Sequence, residues 1–314
     1  MTRFALRIVL VLFLVSGGTF MITALLPGDP ALTILGPDQP PERYQEVRDE
    51  LGLDHPLAEQ YAEWLSGAVT GDLGDSLLPP GGPVVERVGA ALPISVQLAG
   101  MAVALAIVVS LPLAMVSAWR AGSATDRTIG GISFGVLSTP SFLLGLLLII
   151  VFVNQLHLLP RARWVRLTDG GLEENLRHAL LPMLTVALPQ IAVFTRVLRS
   201  DLITTLQQDY VLAARARGLP TWRILTGEAL RPSSLSLVTL VGLSLGQVIA
   251  STVIVEVLFS LPGMGSLIVD SAGKGDVPVV QGAVLVIGAL YVLINATTDV
   301  VYGYLDPRSR HAVS

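Results

Sequence analysis

The 314-residue chain has no cysteine, few charged residues and few aromatics. Without cysteine it has neither disulfides nor thiolate metal sites. Its four histidines are scattered and give no metal-ligand spacing. Only 14% of residues are charged, where a soluble domain carries about a quarter. Folded in water, such a chain has too little polar surface to cover its core. The formal net charge of −4 argues against a nucleic-acid partner. A GxxxxGK[ST] phosphate loop is also missing, and no loop on the predicted cytoplasmic side is long enough to hold a nucleotide-binding domain.

What is abundant is apolar: 52% of residues, with a mean hydropathy of +0.67. Crossing a bilayer takes about 20 apolar residues. Charge-free runs of that order occupy 8–28, 88–119, 128–160, 178–195, 232–255 and 277–298. An isolated segment in lipid must satisfy its own backbone, so the runs are predicted as helices. The expected spans are Arg7–Leu26, Ser95–Ala118, Gly131–Val153, Leu180–Ser200, Ser234–Val257 and Val279–Tyr302. The fold class is therefore an all-α integral membrane protein with six transmembrane helices. Trp119, Trp164 and Trp222 fall at span ends or loops, as an interfacial belt requires. The first run, preceded by Arg3 and Arg7, has the look of a signal peptide. Its length, and the LPGDP that follows it, favour a retained anchor.

With the N-terminus in the cytoplasm, the 20 basic residues divide 12 inside to 8 outside, in the sense of the positive-inside rule. Four expected segments follow: an anchor over 1–26, an extracytoplasmic helical segment over 27–94, five further spans over 95–303 and a cytoplasmic tail over 304–314. Within 27–94, Pro41–Leu51 and Pro56–Val69 place Tyr44, Val47 and Leu51, and Tyr61, Trp64 and Leu65, at helical spacing. Residues 259–278 read as a turn, a short apolar piece and a second turn, a hairpin re-entering toward the pore mouth.

Residues 209–218, DYVLAARARG, read as a surface helix between two spans. Asp209 is expected to N-cap it and Gly218 to end it in the left-handed conformation, with Pro220 preventing continuation. Ala213 and Ala214 offer a smooth patch to another protein. Glu256 and Asp299 are the acidic residues placed within spans, where charge is costly unless paired or wet. Glu256 is a candidate gate or brace beside the turn of Pro262, Gly263 and Gly265. Asp299 shares a helical face with Asn295 and is a candidate partner for Arg196 or Arg199. Ser138, Thr139, Ser141, Gln190, Thr195, Ser244, Gln247, Ser251 and Thr252 are uncharged polar residues of the spans. Ser141, Gln190, Gln247 and Ser251 are the candidate pathway positions, with helix–helix contact as the alternative role. Pro140, Pro182, Pro189 and Pro232 are expected to kink or bound helices.

The chain resembles the B-type membrane subunit of ABC importers for dipeptides, oligopeptides and related solutes. LPGDPA at 26–31, LGLDHPLAEQY at 51–61, GDLGDS at 71–76 and STPSFLLGLLL at 138–148 carry the resemblance. DYVLAARARG at 209–218, EVLFSLPGMGSLIVD at 256–270, PVVQGAVL at 278–285 and LDPRSR at 305–310 complete it. Each is weak alone; their order and spacing are specific. The resemblance implies a type I ABC importer permease fold. It makes 209–218 the coupling helix, with Asp209, Tyr210, Ala213, Ala214, Arg215, Arg217 and Gly218 at the ATPase contact. Leu212 stands where the general motif has glutamate. The implied partners are a homologous C-type permease subunit, cytoplasmic ATP-binding subunits that hold ATP and Mg, and an extracytoplasmic solute-binding protein. No cofactor and no covalent chemistry fall to this chain, which would lie in a bacterial cell membrane. The same motifs serve nickel, glutathione and other small solutes. A stand-alone secondary transporter would need coupling groups near the midplane and an internal repeat; neither is seen.

Overall fold

The apolar runs fold as helices, and their punctuation sets the limits. A computed structural model describes residues 2–25, 29–160 and 163–305; the side chains of 2–5, 7, 299 and 301–305 lie outside the description. The helices are α1 (Thr2–Leu25), α2 (Pro30–Leu35), α3 (Pro41–Glu50), α4 (Leu57–Thr70), α5 (Val84–Trp119), α6 (Ala124–Ser138) and α7 (Ser141–Leu148). Then follow α8 (Leu167–Leu206), α9 (Asp209–Ala216), α10 (Thr221–Arg223), α11 (Leu230–Leu258), α12 (Met264–Lys274) and α13 (Val277–Leu305). Wide π-type turns prolong α7 over Ile149–Gln155 and join α10 to α11 over Ile224–Ala229.

Among the described residues, five of these helical stretches are long and apolar enough to cross a bilayer, and a bent pair brings the number to six if it forms one broken span. That pair stands where one third span, Gly131–Val153, is expected, with its break at Pro140. α6 and α7 meet at 106°. Thr139 is extended at the break (φ −102°, ψ 126°), as the Pro140 ring disfavours the helical region for the residue before it. Pro182 and Pro189, by contrast, are absorbed inside α8. Two helices also start early. α5 begins at Val84 and α8 at Leu167, with an internal irregularity at Gly171. At 1.5 Å per residue, the 36 residues of α5 reach about 54 Å, well beyond a hydrocarbon core.

The chain groups into two units. The first joins Met1–Val96 to Ser260–Leu293. Its core packs Leu73 with Val84, Val88 and Ala91 of α5, Met264 of α12, and Val279 and Ala283 of α13. α3 and α4 form where the 27–94 segment predicted them, and the aromatic face of α4 has a partner. Tyr61 meets Phe20 of α1 edge-on at 5.4 Å, and its hydroxyl lies 2.8 Å from Ser16 Oγ. Asp276 is fully buried. It accepts from Ser76 Oγ (2.5 Å) and the Leu77 N–H (3.1 Å), with Arg87 Nη1 at 3.7 Å. The 27–94 segment is thereby tied to the α12–α13 junction. Ser95 Oγ in turn accepts the first N–H of α12, from Met264, at 2.8 Å.

The second unit joins Gln97–Phe259 to Ile294–Ser314. Its core is centred on Phe194, Leu198 and Leu202 of α8, closed by Ala106, Ala114 and Ala118 of α5, Val211 of α9, Ile224, Leu225 and Leu237. α8 packs against α6, α7 and α11. Gly145 lets α7 approach closely: a β-carbon there would lie 2.6 Å from Leu258 Cδ2 and 3.0 Å from Thr185 Cγ2.

Candidate coupling surface and transport path

Helix α9 sits between α8 and α10, and both its ends are fixed by local chemistry. Its N-cap is Gln208, extended at φ −74°, ψ 147°, with no side-chain bond to the first turn. This corrects the expected role of Asp209, which is the first helical residue. α8 runs on to Leu206, past the expected end at Ser200; the Gln208 N–H is bonded to Thr205 O, and the chain straightens there. The Asp209 charge still lies in the first turn, where the helix dipole favours it. At the other end Gly218 adopts φ +77°. Its N–H donates to Arg215 O (2.9 Å), and the Leu219 N–H donates to Ala214 O (3.3 Å). This pair of bonds is a Schellman cap, which requires a left-handed residue at Gly218. Leu219 then packs on the core of the second unit.

The helix presents two faces. Val211 and Ala214 are fully buried, while Tyr210 is 45% and Leu212 48% exposed. Ala213, Arg215, Ala216 and Arg217 are exposed as well. The alanine pair is therefore divided: Ala214 seats the helix on its own protein, and only Ala213 joins the outward surface. An i, i+3 pair such as 211 and 214 lies on one face, and the neighbouring residue does not. The Arg215 guanidinium stacks 4.8 Å from the ring of Trp119, the last residue of α5. α9 is thus joined to α5 as well as to α8.

A buried ion pair stands behind this surface. Asp126, near the start of α6, is 6% exposed. It accepts from Arg199 of α8 through both oxygens, Nε to Oδ1 at 2.6 Å and Nη2 to Oδ2 at 2.7 Å. Ser117 Oγ (2.5 Å) and the Gly122 N–H (2.8 Å) complete its shell. Asp126 is not among the residues singled out from the sequence, where Arg196 or Arg199 is a candidate partner for Asp299 instead. Arg199 belongs to Asp126; the Asp299 side chain lies outside the described residues. One local signal was available. Ser123 and Asp126 have capping-box spacing, and the Ser123 hydroxyl accepts the Asp126 N–H at 3.3 Å.

Of the other candidates, Glu256 is fully buried two residues before α11 ends. Gly263 caps α12 and, like Gly265, is buried, while Pro262 is exposed in the turn. Asn295 is half-buried on α13. The pathway candidates fall on three mutually packed helices: Ser141 at the first turn of α7, Gln190 on α8, and Gln247 and Ser251 one turn apart on α11. Gln247 is exposed; the other three are half-buried. The hydroxyls mostly bond their own helix. Ser251 donates to Val248 O, Ser244 to Val241 O and Thr252 to Ile249 O, at 2.8 to 2.9 Å. The cross-helix polar bonds run elsewhere, through Gln97–Asn175 at 2.6 Å and Ser233–Thr205 at 2.8 Å.

Two families match the chain. Residues 110–311 match the binding-protein-dependent transport system inner membrane component family, and residues 1–78 match its N-terminal companion. The chain belongs to this family. It is thus a multi-pass membrane component of a binding-protein-dependent transport system, with the type I importer permease fold. It is 36% identical over 301 residues to a putative peptide transport system permease protein of Brucella abortus, covering 96% of this chain and 95% of that one. It is 33% identical over 292 residues to a probable peptide ABC transporter permease protein of Sinorhizobium fredii, covering 93% of each. It is 35% identical over 311 residues to the probable D,D-dipeptide transport system permease protein of Escherichia coli K12, covering 92% of this chain and 91% of that one.

Proposed function

We propose that this transport component is one half of the membrane channel of an ATP-driven peptide importer, and that α9 receives the motion of an ATPase subunit. The observation that carries the reading is the outward face of α9. Tyr210, Leu212 and Ala213 are exposed beside Arg217, on a helix whose other face is sealed into the core. A short helix with free apolar area on one side and no freedom on the other is suited to transmit force. Its anchors are Val211 and Ala214 in the core, the Gly218 cap and the Arg215–Trp119 stack. Displacement of α9 moves α5 and α8 with it. Through the Asp126–Arg199 pair it also moves the start of α6.

In this reading the N-terminus and α9 face the cytoplasm, and the 27–94 segment faces outward toward a solute-binding protein. A homologous permease subunit completes the channel, and ATP with Mg is held by the ATPase subunits alone. Closure of the ATPase pair turns the pathway outward; hydrolysis returns it inward. Peptides as the solute follow from the names of the three relatives. A weakly polar lining suits them. Hydroxyls already bonded to their own helices, as at Ser251, hold a passing amide loosely and release it.

The test is affinity purification of the tagged chain from its native membrane. Recovery with a second permease, ATPase subunits and a solute-binding protein, and peptide uptake by the reconstituted set only with ATP, is the expected result. Uptake by the chain alone, driven by an ion gradient, would overturn the reading. Uptake of nickel or glutathione but not peptides by the full set would replace the solute and leave the coupling account standing.

A further inference from the structure

We propose that the cavity between α6 and α8 binds the phosphoryl headgroup of an anionic phospholipid. The cavity holds about 420 Å³ and is lined by Arg127, Ser133, Phe134, Thr195, Arg196 and Arg199, among others. Its charge is unbalanced. Asp126 is saturated by Arg199, Ser117 and the Gly122 amide. Arg127 and Arg196 are exposed at the cavity and enter no ion pair among the described residues. Two guanidinium groups at one opening present the planar donor geometry that a phosphodiester accepts.

Two further observations favour a lipid. Thr195 lines the cavity at 2% exposure, and its hydroxyl has no hydrogen-bond partner among the described residues, which is unusual for a buried polar group. The cavity wall also continues into bare apolar surface on α6. Phe134 is 71% exposed and Leu137 38%, one turn apart on the cavity side of α6. The opening is thus basic and polar where α6 starts and apolar along the span. A free phosphate uses only the first half of that surface; a phospholipid uses both. Basic pockets between membrane helices are recognised sites for acidic headgroups. The occupant would touch α6 beside Asp126 and α8 beside Arg199, the two helices joined by the buried ion pair.

The test uses the full chain, delipidated in a neutral detergent, with adducts counted by native mass spectrometry. The probes are dioctanoyl phosphatidylglycerol, dioctanoyl phosphatidylcholine and inorganic phosphate. The wild type is expected to bind the glycerol lipid about tenfold more tightly than the choline lipid, with binding that weakens as salt rises. Arg127→Gln/Arg196→Gln is expected to abolish the preference, while Arg223→Gln, which lies beside Trp222, leaves it intact. Arg127→Lys/Arg196→Lys keeps the charge and is expected to retain part of it. Equal binding of the two lipids by the wild type would overturn the proposal, and that result does not depend on any variant folding. Inorganic phosphate binding as tightly as the glycerol lipid would overturn the lipid as the source. A preference surviving in the double glutamine variant would place the site elsewhere.

Discussion

Asp126 and Arg199 are 73 residues apart in sequence and share two hydrogen bonds. Removing Asp126 leaves the partly exposed Arg199 without its carboxylate, and Ser117 and the Gly122 N–H without their buried acceptor. Asp126→Ala is expected to destabilise the protein by about 1–3 kcal/mol, seen as a lower melting temperature in detergent. A melting temperature within a degree or so of wild type would mean that Arg199 finds another partner. A second ion pair, Asp29–Arg48, lies outside the candidate spans and answers to pH. The hydrogen bonds from Arg48, helped by the Ala31 N–H, hold the Asp29 carboxyl below its ordinary 3.8. A carboxyl lowered on folding stabilises above its unfolded value and loses that contribution as pH falls through the lower folded one. The melting temperatures of wild type and Arg48→Gln should therefore differ at about pH 6 and converge toward about pH 3. A difference constant over that range would show that the pair makes no linked contribution. At this scale the sequence was uneven evidence. Gly218 was legible, because a left-handed helix end before proline calls for glycine. Asp126 was not, because nothing near it in sequence names an arginine on another helix. The cap falls at Gln208 and not at Asp209 because its position depends on where the preceding helix stops.

The helices show the same division between local and distant causes. The runs of apolar residues coincide with the five long apolar helices and the bent pair, and Pro140 marks the break in that pair. The 106° bend was not legible, since it depends on the packing of α7 against α8 and α11 beyond the extended Thr139. That packing gives an element-scale prediction. Gly145→Val sets a branched side chain against Leu258, Thr185 and Phe259, where even a β-carbon is crowded. The expected cost is about 1–3 kcal/mol, checked by thermal unfolding of the purified chain. An unchanged melting temperature would mean that α7 moves away without loss. The early starts of α5 and α8 were hidden by charged residues, such as Glu86 and Arg87 in the first turns of α5. Those residues read as loop by hydropathy but lie on the helix.

At the scale of the whole molecule, a chain with a phosphate loop nowhere in its sequence belongs to a transport family and carries an apolar helix face turned away from its own core. In the proposed function, this face passes force from ATP-hydrolysing partners to the spans. Leu212→Asp and Ala213→Asp test it most directly, since both side chains are exposed and neither supports the fold. The measurement is peptide uptake and peptide-stimulated ATP hydrolysis by the reconstituted complex, alongside the melting temperature of the purified chain. The account predicts that uptake and stimulation fall together by about tenfold or more while the melting temperature holds, the size expected when a charge is buried unpaired in an interface centre. Full uptake and full stimulation in both variants would contradict it.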